Sequence, residues 1–285
     1  MVHYDCDPTL NDSEVLEFCK KGFVILENVV PEEINQKMVE YLSARASSNA
    51  KLPDEPTELL GADWFVDNVI LNSQVAGVIR SILGKNFGLP ILLSHHRMEC
   101  PMPSTEWRIN GNAKHCPELS HLQAFYFPGE CPMEMGPIEL LAGTHFIFST
   151  PNYVTHYGSI QGGHYVTVPA GTILLMAHSI WHRRSESTGE GIYNMLEYTY
   201  FRTVSPQRDW IIEKDFDIAT ANYELGGPKF YGMDFTFRQQ HRDRYDNAKM
   251  FFWLCGKSST FRAIGGQAWP KGKTNYIDKP YGVPE

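Results

Sequence analysis

The stretch that decides the fold is Gly163–Tyr200, GHYVTVPAGTILLMAHSIWHRRSESTGEGIYNMLEYTY. Two apolar runs, TILLMA and IYNMLEYTY, flank a polar turn that presents His182. Runs this short, rich in β-branched and aromatic residues and bounded by Gly and Pro, read as strands. Working upstream, ILLSHHRMEC, HLQAFYF, PIELLAG and HYVTVPA have the same character and are separated by Gly, Pro and Asn signals. Successive strands without intervening helical patterns imply an antiparallel sandwich or barrel, not a doubly wound sheet.

Before Pro90 the pattern is helical. Asn11 is placed to cap a helix through Cys19, with Glu14 completing a capping box and Gly22 ending it. A strand follows over Phe23–Val30, and Pro31 opens an amphipathic helix to about Arg45. Residues 46–56 read as a loop. Asn72 caps a third helix whose apolar face is Val75, Val78, Ile79 and Ile82, with Gly84 as its stop. The tail from Ser205 resumes irregular and helical structure, with a helix expected over Arg242–Leu254. No repeat or low-complexity linker interrupts the chain. The expectation is one domain over 1–285, mainly β, with a helical N-terminal layer and a C-terminal cap.

Composition narrows the class of function. Hydrophobic residues make up 42% of the 285 and charged residues 20%, as in an ordinary globular protein. A net charge of -8 and a pI near 5.8 argue against a nucleic-acid partner, because nothing would neutralise phosphates in bulk. The N-terminus lacks a charged segment followed by an apolar one, so no signal peptide is expected. No apolar run reaches the ~18 residues of a membrane span. The six cysteines contain no CxxC pair, which fits reduced thiols in a cytoplasmic protein.

Three segments in order resemble the phytanoyl-CoA hydroxylase family of iron(II)- and 2-oxoglutarate-dependent oxygenases. They are the opening GFVILENVVPEEI, the segment MGPIELLAGTH (Met135–His145), and VPAGTILLMAHSIWHR (Val168–Arg183). The resemblance covers Leu10 to about Trp210. It implies a double-stranded β-helix, a jelly-roll or cupin-like core with its site at one open end, and an oxidoreductase by type. It makes His182 the counterpart of the family's distal iron ligand.

The same resemblance locates departures from the family's chemistry. A 2-His-1-carboxylate triad leaves open positions for oxygen and the keto acid. The family takes two of these ligands from a Trp-His-x-Asp-Gly segment, and here the matching residues are Trp107-Arg108-Ile109-Asn110-Gly111. Arginine has no lone pair to give a metal, and a neutral amide replaces the carboxylate. The family's co-substrate arginine, about ten residues past the distal histidine, is met here by Gly191-Ile192-Tyr193-Asn194. Taken together, the departures imply a degenerate facial triad. No cofactor is then expected, and the chain would be an auxiliary subunit of an active homologue, in a hetero- or homodimer, or a metal-independent catalyst in small-molecule or secondary metabolism. The alternative is an active iron dioxygenase or hydroxylase of a lipid-like or secondary metabolite, using Fe(II) and 2-oxoglutarate through relocated ligands His115, Glu118 and His182.

Candidate site residues follow. His182, Arg108 and Asn110 form the catalytic set, with Arg108 able to anchor an acidic group of a small organic molecule or to pair with Glu106 or Glu139. Gln123, Tyr193, Asn194 and Trp107 are the substrate-binding candidates. His95 and His96, adjacent on a strand, must point to opposite faces. His145 reads as structural. His178 would pair with His182 at i,i+4 on a helix, and is discounted because the run reads as strand into turn.

Overall fold

The computed structural model describes residues 2–45, 55–110, 118–146, 155, 157–160, 162–216 and 249–256, together with the short strand pair Arg262–Ala263 and Pro270–Lys271. The segments 111–117 and 217–248 lie outside them. So do His115 and most of the helix expected over 242–254, of which 249–254 is helical.

Helix α1 (Asp12–Lys21) starts as its sequence dictates. The Asn11 side chain accepts from the Glu14 amide, the Glu14 carboxylate accepts from the Asn11 amide, and Gly22 at φ +84° closes the helix. Strand β1 (His3–Tyr4) precedes it and β2 (Phe23–Leu26) follows, shorter than the expected run to Val30. Helix α2 (Glu32–Ala44) begins after Pro31. A 3-10 turn, the single-turn α3 (Asp63–Phe65) and a π turn over Val66–Ile70 come next, none of them marked by periodicity. Helix α4 (Ser73–Leu83) is capped by Asn72, whose side chain accepts from the amides of Gln74 and Val75.

The β core is a double-stranded β-helix. Its larger sheet runs β1, β3 (Phe87–Gly88), β10 (Ser187–Phe201), β5 (His121–Phe127), β8 (Thr172–Ala177), β2, with β4 (Ser94–Met102) also paired to β10. The smaller sheet is β7 (His164–Tyr165), β6 (Ile138–Leu140), β9 (His182–Arg184). It is widened by an antiparallel bridge between Arg108 and His182. From β4 onward the chain passes repeatedly between the two sheets, which is what wraps them into a barrel.

Period-two alternation sorts the large sheet's side chains. One face, with Leu122, Ala124, Tyr126, Ile173, Leu175, Leu196, Tyr198 and Tyr200, packs on the helices in the main core. The other, with Phe125, Phe127, Leu174, Met176, Tyr193 and Met195, meets Ile138 and Leu140 of the smaller sheet inside the barrel. Register fixes this: Glu197 stands opposite Phe125 and Ser94, and Gln123 opposite Met176. Gln123 and Glu197 therefore share the barrel face. Both lie at the end where β8 turns into β9.

Among the described residues, no helix is long and apolar enough to cross a membrane.

Candidate functional site

The turn after β8 brings His182 to the barrel mouth. Ala177 accepts from the Ile180 amide across the tight turn 178–180, and β9 opens at His182. Its backbone exchanges hydrogen bonds with Arg108, N to O 2.9 Å in each direction, and the Asn110 amide donates to the His178 carbonyl at 2.9 Å. Arg108 and Asn110 are thus strapped to the same turn as His182.

The His182 ring is 2% exposed. Its Nδ1 lies 3.0 Å from the Ile180 carbonyl, which can only accept, so Nδ1 carries the proton and Nε2 is a bare lone pair. Nε2 has no hydrogen-bond partner. Burial pushes the ring's pKa down to about 4, with the Arg108 charge adding to the depression. His178 is depressed to about 4 as well, by burial first and then by His121, and its Nε2 also lacks a partner. The His121 and His178 rings meet edge-on at 3.8 Å. The run is strand into turn, as the sequence reading had it, so no helical i,i+4 pair forms. A tight turn, not a helix, brings it back beside His182.

A polar chain runs from Asn110 across the barrel. Asn110 Nδ2 donates to Gln123 Oε1 at 2.8 Å, Gln123 Nε2 donates to Glu197 Oε1, and Glu197 Oε2 lies 2.7 Å from His96 Nε2. Burial alone would raise the Glu197 carboxyl, but the bonds from His96 and Gln123 outweigh it and hold the group below its ordinary value. Glu197 was not singled out from the sequence. The signal was available: an acid in the apolar strand IYNMLEYTY, four residues past Tyr193 and so on the same face.

Several predicted roles are corrected. Asn194 does not face the barrel: its Oδ1 is 2.9 Å from His95 Nε2 on the helix-packed side, because it alternates with Tyr193. Tyr193 does face inward, 4% exposed, but lies toward the opposite end, where it contacts Cys131 and is influenced by Arg184. Trp107 points out of the barrel, packed with Leu141 and Trp181, its Nε1 donating to the Gly158 carbonyl at 2.9 Å. Arg108 is exposed, and Glu139 is not its partner: that carboxylate holds Arg183 at 2.7 Å, with the guanidinium also over the Trp107 ring at 4.7 Å. Glu118 is exposed, whereas His182 is buried. Gln123, 1% exposed, is a mouth residue as expected. His95 and His96 take opposite faces, and His145 is structural, its Nε2 3.1 Å from the Cys19 carbonyl.

Among the described residues, the side chains around His182 do not make up a metal site. At the two positions beside His182 stand an exposed guanidinium and an amide already committed to Gln123. The nearby carboxylate, Glu197, has both oxygens engaged. Among the described residues, no group of three or more His, Cys, Asp or Glu is disposed to hold a metal ion.

The architecture is a cupin-like jelly roll. No protein-family model and no curated protein matches the sequence. Solved structures do share the fold. HygX from Streptomyces hygroscopicus, with iron bound, superposes with a TM-score of 0.53 at 14% identity, over 71% of this chain and 90% of that one. The same enzyme with nickel, 2-oxoglutarate and hygromycin B bound gives 0.54 at 13% identity, over 70% and 90%. SnoN, the non-haem α-ketoglutarate-dependent epimerase from nogalamycin biosynthesis, gives 0.52 at 13% identity, over 67% and 82%.

Proposed function

We propose that this chain is a small-molecule-binding protein built on the oxygenase fold, without family-type iron/2-oxoglutarate turnover, that works in secondary metabolism as the auxiliary partner of an active homologue. The observation that carries this reading is Asn110, standing where the phytanoyl-CoA hydroxylase pattern has a metal-binding aspartate and locked by its amide to Gln123. Arg108, beside it, is paired directly with His182, so its side chain shares that face and ends in solvent.

Metal-independent acid–base catalysis is the weaker version of this reading. A general base works best with a pKa near the operating pH. His182, at about 4, is neutral near pH 7 but a feeble base. A neutral, buried imidazole suits recognition better than proton transfer. The secondary-metabolic setting is supported by the fold shared with HygX, which binds hygromycin B, and with SnoN, an epimerase from nogalamycin biosynthesis.

Anaerobic titration with iron(II), read by calorimetry and metal analysis, tests the reading directly. The expected result is no tight site and no succinate formed from 2-oxoglutarate. One tight site per chain, with succinate release abolished in His182→Ala, would overturn it and restore an iron oxygenase with relocated ligands. Co-purification with a homologous oxygenase is the expected sign of the auxiliary role.

A further inference from the structure

We infer that the barrel mouth recognises a hydrogen-bond donor, a hydroxyl or protonated amine of a small organic molecule, through two acceptors, Asn110 Oδ1 and His182 Nε2. The inference rests on the binding role proposed above and names its ligand class.

The argument is directional. An ionised carboxylate accepts and never donates. Glu197 Oε1 therefore takes the amide nitrogen of Gln123, which turns Gln123 Oε1 toward Asn110. That oxygen in turn takes Asn110 Nδ2, so Asn110 Oδ1 is left pointing out of the chain of bonds. Amide orientation is otherwise ambiguous, but here one anion at the end of the chain sets both. His182 is fixed in the same sense from the other side: Ile180 claims its Nδ1 proton, so the buried Nε2 is an acceptor without a partner. Asn110 is bonded to the His178 carbonyl and His182 to Arg108, so both acceptors belong to one strapped turn.

A carboxylate ligand would meet these lone pairs with its own. A hydroxyl or ammonium would satisfy them, and a buried polar atom left without a partner carries a penalty that such a ligand removes. The family-type preference for an acidic ligand is thereby reversed at this mouth. Arg108 is exposed on the same face, directly opposite His182, and its charge reaches the ring.

The test uses the full chain labelled with 15N-histidine, with a chelator present so that iron plays no part. His182 is assigned by comparison with His182→Gln, and its Nε2 resonance is followed against methyl α-glucopyranoside, methyl 2-amino-2-deoxyglucopyranoside and succinate. The expected result is a bare Nε2 in the free protein that shifts with one or both glycosides at concentrations about tenfold below those needed for succinate, the order of one hydrogen bond. A stronger response to the amino glycoside identifies an ammonium as the donor, and an equal response a hydroxyl. In Asn110→Ala, which removes the Oδ1 acceptor, the glycoside response weakens by about tenfold. A proton found on Nε2, a shift with succinate at the lower concentration, or an Nε2 moved by neither glycoside overturns the inference. Iron-dependent succinate release, measured separately, would overturn the auxiliary role and not this assignment.

Discussion

Gln123 and Glu197 face each other diagonally across β5 and β10, and the carboxylate of one sets the amide of the other. Thr199, not Glu197, is directly opposite Gln123 in the register. Diagonal neighbours on one face of an antiparallel pair remain within reach of long side chains. Glu197→Gln replaces the acceptor-only end of the Asn110–Gln123–Glu197 chain by a group that can point either way. The expected loss is about 1–3 kcal/mol in urea denaturation, with two orientations of the Asn110 side-chain amide in its NMR spectrum. An unchanged midpoint with a single amide orientation would show that Glu197 does not order the chain.

The buried histidines make stability depend on mild acid. His145, His178 and His182 are each held near 4, against an ordinary 6.5, chiefly by burial. Between these values the unfolded chain binds protons that the folded chain excludes, so stability rises with pH through that window and is level above it. Each histidine contributes on the order of 1.4 kcal/mol per pH unit within the window. Glu197, held below its ordinary value, acts lower down, its contribution disappearing as pH falls through its folded pKa. Denaturation midpoints measured from pH 7 to 4 should fall steadily, and His182→Gln should flatten the slope.

Glu139 and Arg183 form an ion pair whose side chains are 0% and 6% exposed. Such a pair matters more when broken than when replaced whole. Glu139→Leu or Arg183→Met alone should cost about 3–5 kcal/mol, because a charge remains buried without its partner. The double replacement should recover most of that loss. Additive losses in this cycle would mean that the two charges do not stabilise each other.

Gly22 joins α1 to β2 at φ +84°, and a Cβ there would stand 2.4 Å from His145 Nδ1. Gly22→Ala combines left-handed strain, about 1–2 kcal/mol, with displacement of a buried ring. Thermal melting should drop markedly, whereas Gly61→Ala, whose Cβ would meet nothing within 4 Å, should melt near the parent temperature.

The local elements were legible because their causes are local. The Asn11–Glu14 capping box, the Asn72 cap and the opposed faces of His95 and His96 follow from spacing alone. So did the run of strands, whereas their closure as a double-stranded β-helix was implied by the family resemblance. Boundaries slipped where pairing ends, as in β2, which stops at Leu26 because its partner β8 starts at Thr172.

The site was legible only in outline. The sequence by itself determined that His182 sits in a strand–turn–strand and that an arginine and an amide occupy the positions expected to face it. Only the tertiary structure decided which of these enter the barrel. Arg108 shares the face of His182 but ends in solvent, Asn194 faces the helices, Trp107 packs on the outer side, and His178 returns to the mouth through a tight turn. The physical reason is that a side chain's face depends on register between strands far apart in sequence. Gln123 and Glu197, 74 positions apart, meet because β5 pairs with β10. No local pattern encodes that contact, and it fixes which way Asn110 presents its oxygen.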